Sequence, residues 1–195
     1  MWYLNTRSHE YYVHLDNAFN GEECRNIIDY ATNKLEFTDA QVILDNSLGK
    51  VDKNIRKNTI SWVKQEEDIN WVYRKLTDIV NSINKQFWNF DLEYIETLQF
   101  TRYSELNDGY GKHMDLDMIP TSYRKLSFSL QLTDGDDYDG CDLVISPSGE
   151  NKDIFTKRNR GTINFFPSYM VHRVTPLKSG KRDAIVGWVC GPSFK

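Results

Sequence analysis

Apolar residues recur every three or four positions in two segments of the first half of the chain, which is the spacing of one helix face. The first segment, Phe19 to Ala31, offers Asn20 as an N-cap, followed by two glutamates that suit the positive end of the helix dipole. The second segment runs from Glu67 to about Phe90. Its apolar positions are Ile69, Val72, Tyr73, Leu76, Ile79, Val80, Ile83 and Phe87. The pattern predicts two helices, the longer one packed by this face against a sheet.

The spacing of the apolar positions changes to two beyond residue 92, which is typical of strands. The predicted strands are Glu93 to Tyr103, Lys125 to Leu132, Asp142 to Ile145, Thr162 to Phe166, Met170 to Thr175 and Arg182 to Cys190. An earlier strand is predicted at Thr59 to Val63, after a surface excursion from Gln41 to Lys57. Helices first and short strands afterwards indicate an α+β fold, mainly β, whose β part is a sandwich or barrel.

The length of 195 residues suits one domain with a full hydrophobic core. We therefore expect residues 1–195 to form a single domain, with helical support over about 19–90 and a β core over about 93–192. No run approaches the roughly 18 apolar residues of a membrane span, and Met1 to His14 lacks the apolar centre of a signal peptide. These features predict a soluble, cytoplasmic protein with no membrane partner.

Charge and cysteine content exclude two further classes. A net charge of −4 gives no general attraction to nucleic acid. Cys24, Cys141 and Cys190 are odd in number, far apart, and form no CxxC pair. We therefore expect buried, free cysteines rather than a disulfide framework or a structural zinc site.

One pair of residues points to metal chemistry. His113 and Asp115 are two positions apart, so on a strand their side chains would share a face. His172 lies in a second strand-like run, from Asn164 to Pro176, where a histidine is unusual. Two imidazoles and one carboxylate on one face of a metal leave the other positions open, as in non-heme Fe(II) oxygenases.

Two alternatives remain open from the residues alone. His172 could be a core histidine whose hydrogen bonds are satisfied internally. The same three side chains could also bind the zinc of a hydrolase. A zinc hydrolase needs a general base near the metal, commonly a glutamate, and the sequence contains no HExxH pattern.

Arg182 is a candidate anchor for an anionic cosubstrate. It lies ten residues after His172, beyond the turn signal Lys178-Ser179-Gly180, and a hairpin there would return it towards the strand of His172. An arginine can hold a carboxylate through two parallel hydrogen bonds, whereas a lysine is a point charge. The alternative is a surface arginine that pairs with Asp183 or another acid.

The spacing of these residues resembles a known family. His113-x-Asp115, His172 and Arg182, with Tyr103 ten positions before the first histidine, are similar to the 2-oxoglutarate- and Fe(II)-dependent dioxygenases of the prolyl 4-hydroxylase type. The resemblance runs from about Leu98 to Pro192, with weaker similarity at Phe19–Ile28 and Arg56–Thr59. The matching segments are Gln99–Tyr103, Arg124–Ser127, Tyr138–Leu143, Phe166–Ser168 and His172–Pro176. Cys141 replaces the second glycine usual in Tyr-x-Gly-Gly-x-Leu, which affects only the expected local backbone conformation.

The resemblance implies a double-stranded β-helix, or jelly roll, supported by the N-terminal helices. It makes His113, Asp115 and His172 the catalytic iron ligands and Arg182 the partner of the distal carboxylate of 2-oxoglutarate. Tyr103 matches a tyrosine that contacts the cosubstrate. Gln131 or Ser129 occupies the strand where a second tyrosine often assists the arginine.

A competing ligand and a groove complete the expected site. Asp117 shares the strand parity of Asp115, although the family spacing favours Asp115. Loops 39–56 and 118–123 are expected to border a substrate groove. Tyr110, Trp62 and Trp188 could line it, or belong to the core as most aromatics do.

The implied reaction is hydroxylation of a substrate C–H bond by an Fe(II)-dependent enzyme, in which 2-oxoglutarate and O2 are consumed to give the hydroxylated product, succinate and CO2. Ascorbate is a candidate reductant. The retained carboxylate of Asp115 argues against a halogenase. A prolyl residue of a protein or peptide is the preferred substrate. A free amino acid or small metabolite, or a non-catalytic jelly-roll binding module, are the alternatives. We expect a monomer or weak oligomer.

Overall fold

The computed structural model describes residues 10–41, 52–116, 118–119, 122–147 and 152–193. The helices are α1 (Gly21–Lys34) and α2 (Asn70–Phe87). The strands are β1 (Val13–Leu15), β2 (Thr38–Asp39), β3 (Arg56–Lys57), β4 (Thr59–Val63), β5 (Tyr94–Ile95), β6 (Leu98–Tyr103), β7 (Gly109–His113), β8 (Met118–Ile119), β9 (Ser122–Gln131), β10 (Tyr138–Gly140), β11 (Leu143–Ser146), β12 (Ile154–Phe155), β13 (Ile163–Pro167), β14 (Val171–Val174), β15 (Leu177–Gly180) and β16 (Arg182–Gly191). Asp117, the competing ligand considered from the sequence, lies outside the described residues.

Both predicted helices are confirmed, and α1 begins at the predicted cap. The Asn20 side chain accepts hydrogen bonds from the backbone N–H groups of Glu22 and Glu23, and the Glu23 carboxylate accepts one from the Asn20 N–H. This reciprocal arrangement satisfies amide groups that the first helical turn leaves unpaired. The start of α2, in contrast, has no side-chain cap, because Ile69 stands at that position.

The described strands form two principal antiparallel sheets. The major sheet has the order β1-β13-β9-β16-β6-β4-β2, with β5 and β8 attached to β16 and β9. The minor sheet has the order β12-β11-β14-β7-β3, and β10 and β15 form a separate pair. Sequence neighbours are rarely sheet neighbours, as expected of a jelly roll in which the chain alternates between two sheets.

Two apolar clusters flank the major sheet. One joins the buried faces of both helices to the outer face of the sheet, where Phe100, Phe128 and Phe165 are fully buried. The other lies between the sheets and combines Tyr103 and Phe166 of the major sheet with minor-sheet residues. The helices therefore brace one face of the major sheet and leave its inner face to the minor sheet. The predicted mainly β jelly roll with supporting helices is confirmed.

Two local predictions were wrong. Lys178 to Gly180 is not the turn of a hairpin but part of β15, which pairs with β10. The strands of His172 and Arg182 consequently belong to different sheets. The end of the predicted surface excursion, Arg56–Lys57, is a strand of the minor sheet paired with β7.

The backbone conformation of Cys141 is one that favours glycine, the residue usual at this position in the prolyl 4-hydroxylase-type sequences that the chain resembles. Its φ of 52° lies in the left-handed region, and the preceding Gly140 has a φ of 70°. Left-handed backbone costs roughly 1–2 kcal/mol for a residue with a Cβ. Cys141, Cys24 and Cys190 are all buried and free, as predicted.

Among the described residues, none of the helices combines the length and apolar character needed to cross a lipid bilayer.

The bracing role of α2 leads to a stability prediction. Leu76 is fully buried in the cluster between the helices and the major sheet. We expect Leu76→Ala to lower the free energy of unfolding by about 2–5 kcal/mol, because it leaves a cavity. The control Arg74→Ala, on the exposed side of the same helix, should change it by less than about 0.5 kcal/mol. Chemical denaturation measures both values. Equal changes in the free energy of unfolding for the two variants would contradict the packing of Leu76 between the helices and the major sheet.

Candidate active site

Two histidines lie side by side on adjacent strands of the minor sheet. His113 ends β7, and its register partner on β14 is His172. Their ring centroids are 4.1 Å apart. The chain leaves β7 at His113, and the backbone N–H of Asp115 donates to the carbonyl of Ser168 at 3.0 Å. That hydrogen bond holds the carboxylate next to both imidazoles.

The three side chains form a compact cluster of metal-ligating atoms. Nε2 of His113 is 3.6 Å from Oδ1 of Asp115, and Nε2 of His172 is 3.4 Å from Oδ2. All the ligand atoms lie within 4.8 Å of one another. The side chains of Asp115 and His172 are 8% and 6% exposed, and that of His113 is 18% exposed. A cluster of two nitrogens and one carboxylate that is open on one side matches the donor set of non-heme Fe(II) sites.

Backbone carbonyls determine which nitrogen of each histidine can bind a metal. Nδ1 of His113 lies 2.8 Å from the carbonyl of Gly111, and Nδ1 of His172 lies 2.9 Å from that of Met170. A carbonyl only accepts hydrogen bonds, so each Nδ1 must carry the proton. Each Nε2 then keeps a lone pair directed at Asp115. Such outer hydrogen bonds orient ligating histidines and fix their tautomer.

Electrostatics favours the protonation states that metal binding requires. Burial, together with the neighbouring His172, lowers the pKa of His113 to about 4. Burial alone would raise the pKa of Asp115, but His172 and His113 outweigh it and the pKa lies below its usual value. Neutral imidazole and ionised carboxylate are the forms that coordinate metals.

Arg182 reaches the same cavity from the major sheet. It begins β16, opposite Tyr103 on β6, and is only 2% exposed. Its Nε donates to Oε1 of Gln131 at 3.1 Å, and a terminal nitrogen donates to Oγ of Ser129 at 3.4 Å. Asp183, proposed from the sequence as an alternative partner, instead pairs with Arg102 at 2.8 and 2.9 Å.

The buried guanidinium of Arg182 has no acidic partner among the residues that the structure describes. A buried charge is costly unless it is paired, so this arrangement suits an anion that arrives with a ligand. Burial raises the pKa of Tyr103 to about 12. Its hydroxyl therefore stays protonated and can donate a hydrogen bond to the same anion.

A cavity of about 810 Å³ connects these groups. Both sheets line it, and the predicted site residues among the lining are Tyr103, His113, Asp115, Ser129, His172 and Arg182. Gln131, predicted as a cosubstrate residue, is not part of the lining; it contacts Arg182 through the hydrogen bond to its Oε1. The volume exceeds what 2-oxoglutarate alone needs and lies within the usual range of ligand pockets.

Tyr110, Trp62 and Trp188, considered from the sequence as groove or core residues, all line the cavity. The centroid of Tyr110 is 3.6 Å from that of His113. A register shift between β7 and β14 lets these two side chains, three positions apart, face the same side. The ring centroid of Trp188 lies 6.4 Å from that of Trp62, and Trp62 is 45% exposed. These indoles therefore form an aromatic border of the cavity.

Two arginines that line the cavity were missed as functional candidates. Arg124 forms two hydrogen bonds with Glu96, at 2.7 and 2.6 Å, and its guanidinium lies over the Trp188 ring. Arg56 donates to Gln99 at 2.7 Å. Arg56 and Arg124 both lie in segments that carry the family resemblance, and this could have marked them as site residues. Their position in the cavity could not be predicted, because the strands beside them are distant in sequence.

The fold and this site define a class: a jelly-roll oxygenase with a candidate two-histidine, one-carboxylate iron centre facing a buried arginine. Residues 98–190 match the family described as the 2OG-Fe(II) oxygenase superfamily. This part of the chain is therefore similar to 2-oxoglutarate- and Fe(II)-dependent dioxygenases, and the whole chain shares its fold with prolyl 4-hydroxylases. The matched family uses Fe(II) as cofactor and 2-oxoglutarate and O2 as cosubstrates, and the donor set of His113, Asp115 and His172 suits Fe(II).

Two PKHD-type hydroxylases are similar to this chain in sequence. A PKHD-type hydroxylase of Prochlorococcus marinus strain AS9601 is 28% identical over 176 residues, covering 80% of this chain and 78% of the relative. A PKHD-type hydroxylase of Synechococcus strain CC9902 is 40% identical over 86 residues, but that alignment covers only 44% of this chain and 38% of the relative.

Two solved structures share the fold. A Pseudomonas putida prolyl-4-hydroxylase has a TM-score of 0.71 at 18% identity, covering 94% of each chain. A prolyl hydroxylase from Trichoplax adhaerens, solved with a hypoxia-inducible factor peptide fragment, has a TM-score of 0.73 at 19% identity, covering 92% of this chain and 83% of that one.

Proposed function

We propose that His113, Asp115 and His172 bind Fe(II), that Arg182 and Tyr103 anchor 2-oxoglutarate, and that the enzyme hydroxylates a prolyl residue of a protein or peptide. One observation carries this assignment most: a buried arginine without an acid partner among the described residues lines the same cavity as the three ligating side chains. A metal site alone would not need such an arginine, whereas a dicarboxylate cosubstrate does.

When bound, iron with 2-oxoglutarate and O2 supplies the oxidising power to insert one oxygen atom into a C–H bond, with succinate and CO2 as coproducts. The protein residues position the reactants. The carbonyls of Gly111 and Met170 keep both Nε2 atoms unprotonated. Gln131 and Ser129 hold the Arg182 guanidinium in one orientation, so its remaining N–H groups can take a carboxylate through parallel hydrogen bonds.

The cavity supports a substrate larger than the cosubstrate. Its aromatic border, formed by Trp62 and Trp188, offers flat apolar surfaces against which a pyrrolidine ring can pack. The Trichoplax adhaerens structure with its bound peptide supports a peptide as substrate for this fold. A peptide segment can cross the border while one side chain enters the cavity.

We also propose that residues 1–195 act as one domain, with helical support at about 19–90 and a jelly-roll core at about 93–192. The buried cluster that joins α1 and α2 to the major sheet supports this division.

The test is mass spectrometry of peptides and cell lysate incubated with the enzyme, Fe(II), 2-oxoglutarate and ¹⁸O₂. We expect a labelled oxygen on proline, in a one-to-one ratio with succinate formed above the substrate-free rate. The matched control is Asp115→Ala, which removes one metal ligand and should form neither product. Labelled oxygen exclusively on other residues or on free metabolites would reject the prolyl substrate but keep the oxygenase. No label and no succinate with folded protein would reject both.

A further inference from the structure

A second arginine lines the cavity, on the minor sheet rather than on the major sheet that carries Arg182. Arg56 belongs to β3 at the end of the minor sheet, and its register partner on β7 is Tyr110. Its guanidinium carbon lies 4.6 Å from the centroid of the Tyr110 ring. That ring in turn stacks on His113, with centroids 3.6 Å apart. Arg56 is therefore separated from a candidate metal ligand by a single aromatic ring.

Neutral groups fix the orientation of Arg56. Its Nε donates to Oδ1 of Asn58 at 2.9 Å, and one terminal nitrogen donates to Oε1 of Gln99 at 2.7 Å. Asn58 and Gln99 are both buried. The Tyr110 hydroxyl is also within hydrogen-bonding reach of Arg56. A guanidinium has five N–H groups, so these neutral partners still leave donors for a ligand. The held orientation lowers the entropy lost when an anion binds.

The charge of Arg56 is not neutralised by the protein that the structure describes. No acid lies within ion-pair distance of it there, whereas Arg124 is paired with Glu96 and Asp39 with Lys53. Lys112 also lines the cavity but is exposed, so water weakens its attraction for anions. Apart from the cosubstrate anchor Arg182, Arg56 is the half-buried cation best placed to bind an anion.

We propose that Arg56 binds a carboxylate of the substrate close to the carbon that is hydroxylated. This inference rests on the proposed function, in which Arg182 is occupied by 2-oxoglutarate. The two arginines stand on different sheets, so an anchored cosubstrate leaves Arg56 for a second anion. The carboxylate has two sources: the side chain of an acidic residue next to a prolyl residue, or the free α-carboxylate of an amino acid.

Two matched pairs of compounds distinguish these sources. The first pair is a blocked alanine peptide with one internal proline flanked by glutamate, and the same peptide with glutamine. The second pair is free L-proline and L-prolinamide. The wild-type enzyme should favour the carboxylate member of one pair by about 10- to 100-fold in kcat/KM, as expected for a charge-assisted hydrogen-bonded pair. The pair that shows the preference identifies the source.

Variants of Arg56 test whether this residue causes the preference. Arg56→Gln should reduce it to less than about twofold, and Arg56→Lys should retain part of it, because a lysine keeps the charge without the planar fork. The control Lys178→Gln removes an exposed charge outside the cavity and should keep the full preference. The Kd of 2-oxoglutarate, measured anaerobically, should stay within about twofold in Arg56→Gln, which also shows that the variant is folded.

The outcomes separate this inference from the proposed function. Equal rates within both pairs, or a preference that survives Arg56→Gln, would overturn the inference and leave the oxygenase intact. A weaker Kd for 2-oxoglutarate in Arg56→Gln would assign the residue to the cosubstrate instead. If none of the four compounds reacts but proteins in the lysate are hydroxylated, we expect the hydroxylated residues to have acidic neighbours, and we expect Arg56→Gln to lose this selectivity. Hydroxylated residues with neutral neighbours would overturn the inference. If nothing is hydroxylated, both proposals fail.

Discussion

Replacing His172 by alanine should abolish Fe(II) binding and succinate formation while leaving the protein folded. The imidazole is buried, its Nδ1 is held by the Met170 carbonyl, and its Nε2 lies 3.4 Å from the Asp115 carboxylate. Removing it leaves two protein ligands, too few for tight binding of an open Fe(II) site. Loss of an outer partner already costs about 10- to 100-fold in metal affinity, so we expect loss of this ligand to exceed about 100-fold.

Calorimetric titration with Fe(II) under anaerobic conditions measures this affinity. His14→Ala is the matched control, because His14 is partly exposed, lies on β1 and does not line the cavity. That variant should bind iron like the wild type. Equal iron affinity in His172→Ala and the wild type would show that the metal binds elsewhere.

Replacing Arg182 should weaken the binding of 2-oxoglutarate and leave the binding of iron intact. The guanidinium is 2% exposed and its hydrogen bonds go to the neutral side chains of Gln131 and Ser129. Hydrogen bonds to charged groups contribute roughly 1.5–3 kcal/mol each. Loss of two in Arg182→Ala should therefore raise the Kd of 2-oxoglutarate by at least about 100-fold. The Kd of Arg182→Lys should lie between those of the wild type and Arg182→Ala, because the lysine ammonium keeps the charge but lacks the two parallel N–H donors of a guanidinium.

The matched control is Arg102→Lys. Arg102 lies on β6 next to β16, but its guanidinium pairs with Asp183 and does not line the cavity. This change can lower stability, yet the Kd of 2-oxoglutarate should stay within about twofold. The Arg182 assignment fails if both arginine variants bind 2-oxoglutarate alike, or if Arg182→Ala loses iron as well.

Local patterns in the sequence were sufficient for the two helices, for the longer strands and for the candidate metal-ligating side chains, but not for short strands such as β3 and β7. Thr59 to Val63 is a strand with the predicted bounds, and both helices lie where the apolar spacing places them. His113 and Asp115 do come together, but strand parity is only part of the reason. The strand ends at His113, and the hydrogen bond from Asp115 to Ser168 brings the carboxylate back.

Long-range pairing was beyond the reach of these patterns. The sequence places Arg182 ten residues after His172, which suggested a hairpin, whereas the jelly roll puts the two on different sheets facing one cavity. Arg56 enters the site because β3 pairs with β7, more than 50 residues further along the chain. Apolar spacing shows which face of a strand is buried, but it does not show which strand will be its neighbour.

Anaerobic titration of the Fe(II)-loaded protein with 2-oxoglutarate, followed by visible absorption, tests the central claim most directly. We expect a metal-to-ligand charge-transfer band that saturates at one 2-oxoglutarate per chain. In the proposed site His113, Asp115 and His172 would hold the iron and Arg182 would hold the distal carboxylate of 2-oxoglutarate, so that the cosubstrate could contact the iron. Folded protein that binds Fe(II) but develops no band at saturating 2-oxoglutarate would contradict the account.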